Sequence, residues 1–448
     1  MSINLMFVNA NNNIKNGNII NALHILKDIW VKYPQNIKLF DEIKKVRKKN
    51  TPVLRSSLNQ EKINDLFSLH KEGKTTAVIK NLEFLNNEDP NDFYVLNLLG
   101  IFNGLLENYK EAIQYQKLSI NINPFDPNNY QNLSSSLEKE GKLNSALSIL
   151  EIGKILDYNN LSINKQLARL YVKLNNYSSA NFIYKELILL DKNNYQIKLD
   201  FIASLINGVK IEEALQYIRI TKFEKHFEDK ILTLQGLAYF KLNKFNEAQD
   251  FINSALIINK DNSDSHSIQG LIYESLGFIN KALRSHAEAI KSNNRNYVAF
   301  NNLAACYSFV GDIDLSISNF KEAIKINPNF FDGIYRLGQM QIYNGDFVNG
   351  WINFRERWKS SDYVHKKLIT SKPLLNKIES KNIKILAWNE QGLGDQVMYG
   401  SMFNEFSKLT SNLIVKLDKR LINVFEKNHP KIKFVGIDDF VSEDQYDS

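Results

Sequence analysis

Six consecutive residues, Glu390-Gln391-Gly392-Leu393-Gly394-Asp395, bring two carboxylates, an amide and two glycines into one short stretch. Such a set suits the close approach of a ligand's anionic group. Glycines let the main chain approach a ligand, and a helix starting just beyond them offers unpaired N–H groups. A carboxylate beside a ligand hydroxyl can take its proton. On residue types alone, the same stretch also describes a tight turn with Asp395 capping a helix. Its surroundings give it a place. Ile383 to Trp388 reads as a buried strand, and 395–409 as a helix. Leu413 to Leu417 and Ile432 to Ile437 read as further strands, with a helix over 420–428 between them. Strand–helix alternation with short connections predicts a parallel α/β sheet, whose ligands lie beyond the carboxyl ends of its strands.

Upstream, the chain repeats. Ala112, Ala146, Ala180, Ala214, Ala248 and Ala282 fall 34 residues apart, with Val78, Ser316 and Gly350 in register. The regular units begin at 59, 93, 127, 161, 195, 229, 263, 297 and 331. In 297–330, Phe300, Leu303, Ala304 and Tyr307 share one helical face. Gly311 ends that helix, Ser316, Phe320 and Ala323 face inward on the next, and Pro328 stops it. This column pattern resembles the tetratricopeptide family, whose 34-residue helix–turn–helix buries its apolar face only by stacking on neighbours. The expected fold is mainly α: a superhelical tetratricopeptide solenoid followed by an incomplete Rossmann-like α/β segment. The expected divisions are an N-terminal hairpin (1–36), a connecting segment (37–58), a nine-unit array (59–363), a linker (364–381) and the first part of an α/β domain (382–448).

Composition narrows the function classes. Charged residues are 23% and hydrophobic ones 44%, so the chain is foldable rather than disordered. The net charge of +7 reads as a lysine-rich surface, because no arginine-rich stripe or nucleic-acid module accompanies it. No partner nucleic acid is expected. Lys44 to Lys49 is the one dense basic run, placed before Thr51-Pro52 as a helix end or linker. The single cysteine, Cys306, reads as a small buried apolar side chain with no evident basic partner. No apolar run reaches 18 residues and no secretory signal pattern opens the chain, so a cytoplasmic location without membrane insertion is expected. No metal site and no cofactor bound by this chain are expected.

The run Ile385 to Met398, together with Gly345-Asp346-Phe347-Val348-Asn349-Gly350-Trp351, resembles bacterial proteins that join a tetratricopeptide array to a GT-B glycosyltransferase domain. More distantly it is similar to O-linked N-acetylglucosamine transferases and, in the loop, to heptosyltransferases. The resemblance implies sugar transfer from a nucleotide-sugar donor, with Asp395 as base and Glu390, Gln391, Gly392 and Gly394 holding substrate. The chain departs from that pattern at Phe354-Arg355-Glu356 and at Pro373-Leu374-Leu375. It also ends at Ser448, before a second, donor-binding half, so this chain alone is expected to be inactive. The alternative is a non-enzymatic interaction scaffold. In either case a protein or peptide is expected in the groove of the first helices, at Asn64, Asn132, Leu199, Leu237, Leu271 and Asn302. The column containing those asparagines also holds Leu98, Gln166, Asp200, Leu234, Ile268 and Arg336, which favours an apolar or amphipathic segment over an asparagine ladder.

Overall fold

A computed structural model describes every residue except 1, 51, 53–55, 57, 361, 362, 364–366, 376–381, 391 and 411. The helices pair as hairpins along the chain. The first is α1 (Ile3–Lys15) with α2 (Ile19–Lys32), followed by α3 (Ile37–Asn50). Then come α4 (Gln60–Lys71) with α5 (Thr75–Glu88), α6 (Phe93–Leu105) with α7 (Tyr109–Ile122), and α8 (Pro127–Lys139) with α9 (Leu143–Leu156). Next are α10 (Leu161–Lys173) with α11 (Tyr177–Leu190), α12 (Tyr195–Asn207) with α13 (Ile211–Ile220), and α14 (Glu228–Lys241) with α15 (Phe245–Ile258). The series closes with α16 (Ser263–Ser275) and α17 (Ile279–Ser292), α18 (Tyr297–Val310) and α19 (Ile313–Ile326), and α20 (Phe331–Tyr343) and α21 (Phe347–Phe354).

Three columns at the 34-residue period build these hairpins. The expected alanine column is fully buried from Ala112 to Ala282, where helices approach closely. A second column caps first helices: Asp92, Asp126, Asn160, Asn194, Asn262 and Asn296 each accept main-chain N–H groups of the turn that follows. A third sits in the turn inside each hairpin. Residues 73, 107, 141, 175, 209, 243, 277, 311 and 345 all take positive φ. Five of them are glycine. Val209, at φ 60°, is a β-branched residue in a conformation its side chain disfavours.

The chain divides into two compact units, Met1–Cys306 and Tyr307–Ser448. The division falls within α18 and not in the 364–381 segment. In the first unit, the stretch expected as a connecting segment holds helix α3, with Leu39, Ile43 and Val46 buried. The N-terminal hairpin also does not stack in line. Its Leu23, Leu26, Ile29 and Trp30 join the core built by α7 to α14, whereas α4 to α6 form a separate cluster around Leu82 and Phe102. Lys27 donates to the Ser148 hydroxyl of α9 at 3.3 Å, and Phe40 meets Tyr158 edge-on.

In the second unit, β1 (Lys384–Trp388), β2 (Asn412–Leu417) and β3 (Lys433–Gly436) form a parallel sheet in that order. Between them lie α22 (Leu393–Gly400), α23 (Phe403–Leu409) and α24 (Lys419–Asn428). The single helix expected over 395–409 is broken at Ser401, whose hydroxyl donates to the Met398 carbonyl at 2.6 Å. Gly400 lets the helix lie against the Phe425 ring, which a Cβ would meet at 2.3 Å. Leu421 and Phe425 of α24 cover Leu413, Val415 and Phe434. Along the free edge of β1, the Asp447 N–H donates to Lys384 O, and the Leu386 N–H to Ser448 O. That pairing runs in the direction of β1, so segments lie on both sides of it.

Candidate functional site

The residues singled out above fall in both units. In the second unit, the glycine loop leaves the carboxyl end of β1 and opens α22. Gly392 is the N-cap, and Asp395, three residues on, accepts the Gly392 N–H at 3.2 Å. Asp395 is therefore not the cap residue itself; it ties the loop back from the first turn. Gly394 has open space where a Cβ would be and no positive φ, so neither packing nor strain requires glycine there. Gln391 lies outside the described residues.

Glu390 is held from behind. Arg357, in the 3₁₀ turn Arg355–Lys359, donates to Glu390 Oε1 at 2.6 Å. The guanidinium lies over the rings of Phe354 and Trp358, 4.8 and 4.6 Å from their centroids. Trp358 in turn stacks on Trp388 at the end of β1. The sequence marks Trp351 and Trp358 as a cap or docking surface. Trp358 docks on the sheet, and Trp351 packs on Phe354. Burial and the Glu390 charge push the Tyr363 phenol up to about 12. Burial, then Asp395 and Glu390, raise Tyr399. Both phenols thus stay protonated beside carboxylates.

Ahead of these groups lies a cavity of about 220 Å³ lined by Trp388, Asn389, Glu390, Tyr399, Phe403 and Lys416. It opens where the strands end, the usual position for ligands of parallel sheets. Gln396 fixes one wall by accepting the Asp418 N–H at 2.8 Å. This tie, like the Arg357 buttress, has no signal in the sequence motif.

In the first unit, the expected groove residues separate. Leu199 is buried, at 5% exposure, and presents no surface. Asn64 is exposed and accepts from Gln60. Leu237, Leu271 and Asn302 are half-buried, with Asn302 accepting from the Asn301 amide at 3.2 Å. Asn132 donates to Asn97 and lines a second cavity of about 220 Å³. That cavity is shaped by Gly100, Gly104, Gln116, Ser135 and Lys139 from α6, α7 and α8. Gly100 is needed there, since a Cβ would strike the Gln116 side chain at 2.5 Å. Gln116 is 2% exposed and its Oε1 has no hydrogen-bond partner among the described residues.

The stacked hairpins and their columns define a tetratricopeptide-repeat protein. Residues 229–262 and 297–330 match the tetratricopeptide repeat model. No curated protein sequence matches the chain. Among solved structures, it is similar in fold to a tetratricopeptide repeat protein from Parabacteroides merdae ATCC 43184, 14% identical over 55% of this chain and 96% of that one, with a TM-score of 0.45. It is similar also to the human IFIT1 dimer with PPP-AAAA (17% identical, 66% and 75% covered, TM-score 0.38). A third is the APC/C hetero-tetramer Cut9–Hcn1 (17% identical, 64% and 52% covered, TM-score 0.36). Among the described residues, no helix is long and apolar enough to cross a membrane.

Proposed function

We propose that the chain is a protein-interaction scaffold whose first-helix face binds an extended peptide segment. The observation that carries this reading is the Gln116–Asn132 cavity. Its Asn132 amide and Ser135 hydroxyl can bond the main chain of a peptide. Lys139 at the rim favours an acidic residue in that segment. The array contributes shape, and the cavity contributes one polar anchor. Selection of peptides on the full chain, followed by titration calorimetry, tests it. Selected peptides should carry an acidic residue and lose at least tenfold in affinity against Asn132→Ala with Lys139→Glu. Peptides that bind the double variant unchanged would remove the cavity from the reading.

A second reading concerns the α/β segment and rests on the resemblance of its loop. In it, this segment is the acceptor-binding half of a GT-B type glycosyltransferase. Asp395 is the base, and Glu390, Gln391, Gly392 and Gly394 hold the acceptor, with a nucleotide sugar as donor. The specific support is the cavity beyond β1 and a Gly394 that the fold itself does not require. Incubating the chain with glycan or peptide acceptors and nucleotide sugars tests it. Acceptor binding weakened by Gly394→Val, at unchanged stability, is expected. Sugar transfer that survives Asp395→Asn would remove the base assignment.

A further inference from the structure

Three side chains that could ligate a metal meet in the first unit, far in sequence from the Asn132 cavity and from the glycine loop. Glu274 of α16, His286 of α17 and Cys306 of α18 place one donor atom each within 4.8 Å of one another. His286 is fully buried and Cys306 is 2% exposed, while Glu274 reaches the surface. His286 Nε2 lies 2.6 Å from Glu274 Oε1, and His286 Nδ1 is buried with no hydrogen-bond partner among the described residues.

The repeat itself shows that these residues are departures. One and two periods earlier, the Glu274 position holds Phe240 and Ile206. The His286 position holds Ile252 and Ile218, and the Cys306 position holds Ile272 and Ala238. Packing alone is therefore met by apolar residues at all three places. Here three departures with ligating side chains converge on one another. The fold also makes room for the imidazole. A Cβ on Gly270 would fall 2.3 Å from the His286 ring, so glycine is what lets it lie there.

We propose that Glu274, His286 and Cys306 form a site for a zinc-like divalent transition-metal ion. A mixed nitrogen, sulfur and oxygen donor set selects such an ion over calcium or magnesium. Zinc–ligand distances of about 2.0 Å to nitrogen and about 2.3 Å to sulfur are reached by parting the Glu274–His286 hydrogen bond. The thiol gives its proton to solvent on binding. The Nε2 proton moves to Nδ1, so the imidazole ligates in its neutral form. Burial and the adjacent Glu274 hold the Cys306 thiol well above its usual range without the ion. The ion supplies the positive charge that a thiolate there needs. The half-exposed Glu274 gives the way in, and a water completes four-coordination.

The test is titration of the reduced full chain with Co²⁺, followed by competition with Zn²⁺. One equivalent per chain should bind, with the visible bands of four-coordinate cobalt and a near-ultraviolet thiolate-to-cobalt band. Cys306→Ser should abolish the thiolate band. Glu274→Gln and His286→Gln should each weaken binding at least tenfold. Gly270→Ala, which removes no ligand, should also weaken it by displacing the ring. Circular dichroism establishes that each variant is folded. Absence of a thiolate band at millimolar Co²⁺ in the unmodified chain would overturn the proposal, as would an undiminished band in folded Cys306→Ser.

Discussion

The array of the first unit and the sheet of the second are held by different means. In the array, each hairpin uses the same small column, the same cap and the same turn, so stabilisation is spread over many similar contacts. Its buried charged side chains also sit inside the core: Lys154, fully buried, bonds Glu186 at 2.8 Å, and Glu151 accepts from the Tyr171 hydroxyl at 2.7 Å. The sheet has three short strands and one cluster of aromatic rings. Several of its ion pairs and hydrogen bonds tie segments distant in sequence, as Glu443 ties Thr370 and Ser371. Repetition makes the array tolerant of single losses. The sheet depends on a few contacts, each used once.

The largest effect that sharpens this contrast is expected from Phe425→Ala, which removes the ring packed on Phe403, Phe434 and Gly400. It should cost about 4 kcal/mol and abolish the near-ultraviolet dichroism of the sheet while the far-ultraviolet helix signal remains. Collapse of the helix signal as well would break the contrast. Trp30→Ala, at a ring 2% exposed in the N-terminal hairpin, should cost about 3 kcal/mol in urea unfolding. Arg357→Ala leaves Glu390 without its cation and should cost about 2 kcal/mol, read in the same way. Val209→Gly should stabilise the array by about 1 kcal/mol, because it relieves a positive φ at an exposed turn; unchanged stability would mean the turn carries no strain.

Acid should act on the two regions with opposite sign. Hydrogen bonds from Ser371 and Thr370 hold the Glu443 carboxyl down to about 2, below its ordinary value of 4.5. A depressed acid contributes stability that is present above 4.5 and lost as pH falls toward 2. Burial raises Glu151 above 4.5. Its folded form therefore binds a proton more readily than the unfolded chain, which stabilises the array as pH falls through the raised value. In a Trp30→Phe variant the remaining tryptophans, 351, 358 and 388, all lie in the second unit. Their fluorescence should report loosening below pH 4 while amide exchange at α9 slows. The same trend in both regions would contradict the assignment.

The sequence makes the hairpins legible because a 34-residue period fixes which positions must be small, and Ala112 to Ala282 are buried as the period requires. The three strands are legible because short apolar runs follow turn residues. Long-range choices left no such trace. Lys27 meeting Ser148 depends on where a hairpin docks, and periodicity carries no information about that. The Arg357 buttress behind Glu390 joins a repeat end to a strand end, so neither segment's pattern encodes it. The convergence of Glu274, His286 and Cys306 becomes visible only when residues one helix apart are superposed. In the sequence Cys306 reads simply as apolar. The expected groove at Leu199 is core because a helical face repeated every 3.6 residues does not say which side faces a neighbour.

The docking of the N-terminal hairpin on α9 has a kinetic consequence. A plain solenoid can begin folding at any repeat and fray from either end. Here a contact spanning 121 residues closes a loop that contains α3 to α8. Closing that loop costs chain entropy before it returns any contact, which sets a late, slow step in refolding. The same closure alters how the chain bears load. Pulled from residue 2, it transmits force first to α9 through the Lys27 contact and to Tyr158 just beyond it through Phe40, and α4 and α5 stay slack until those contacts give way.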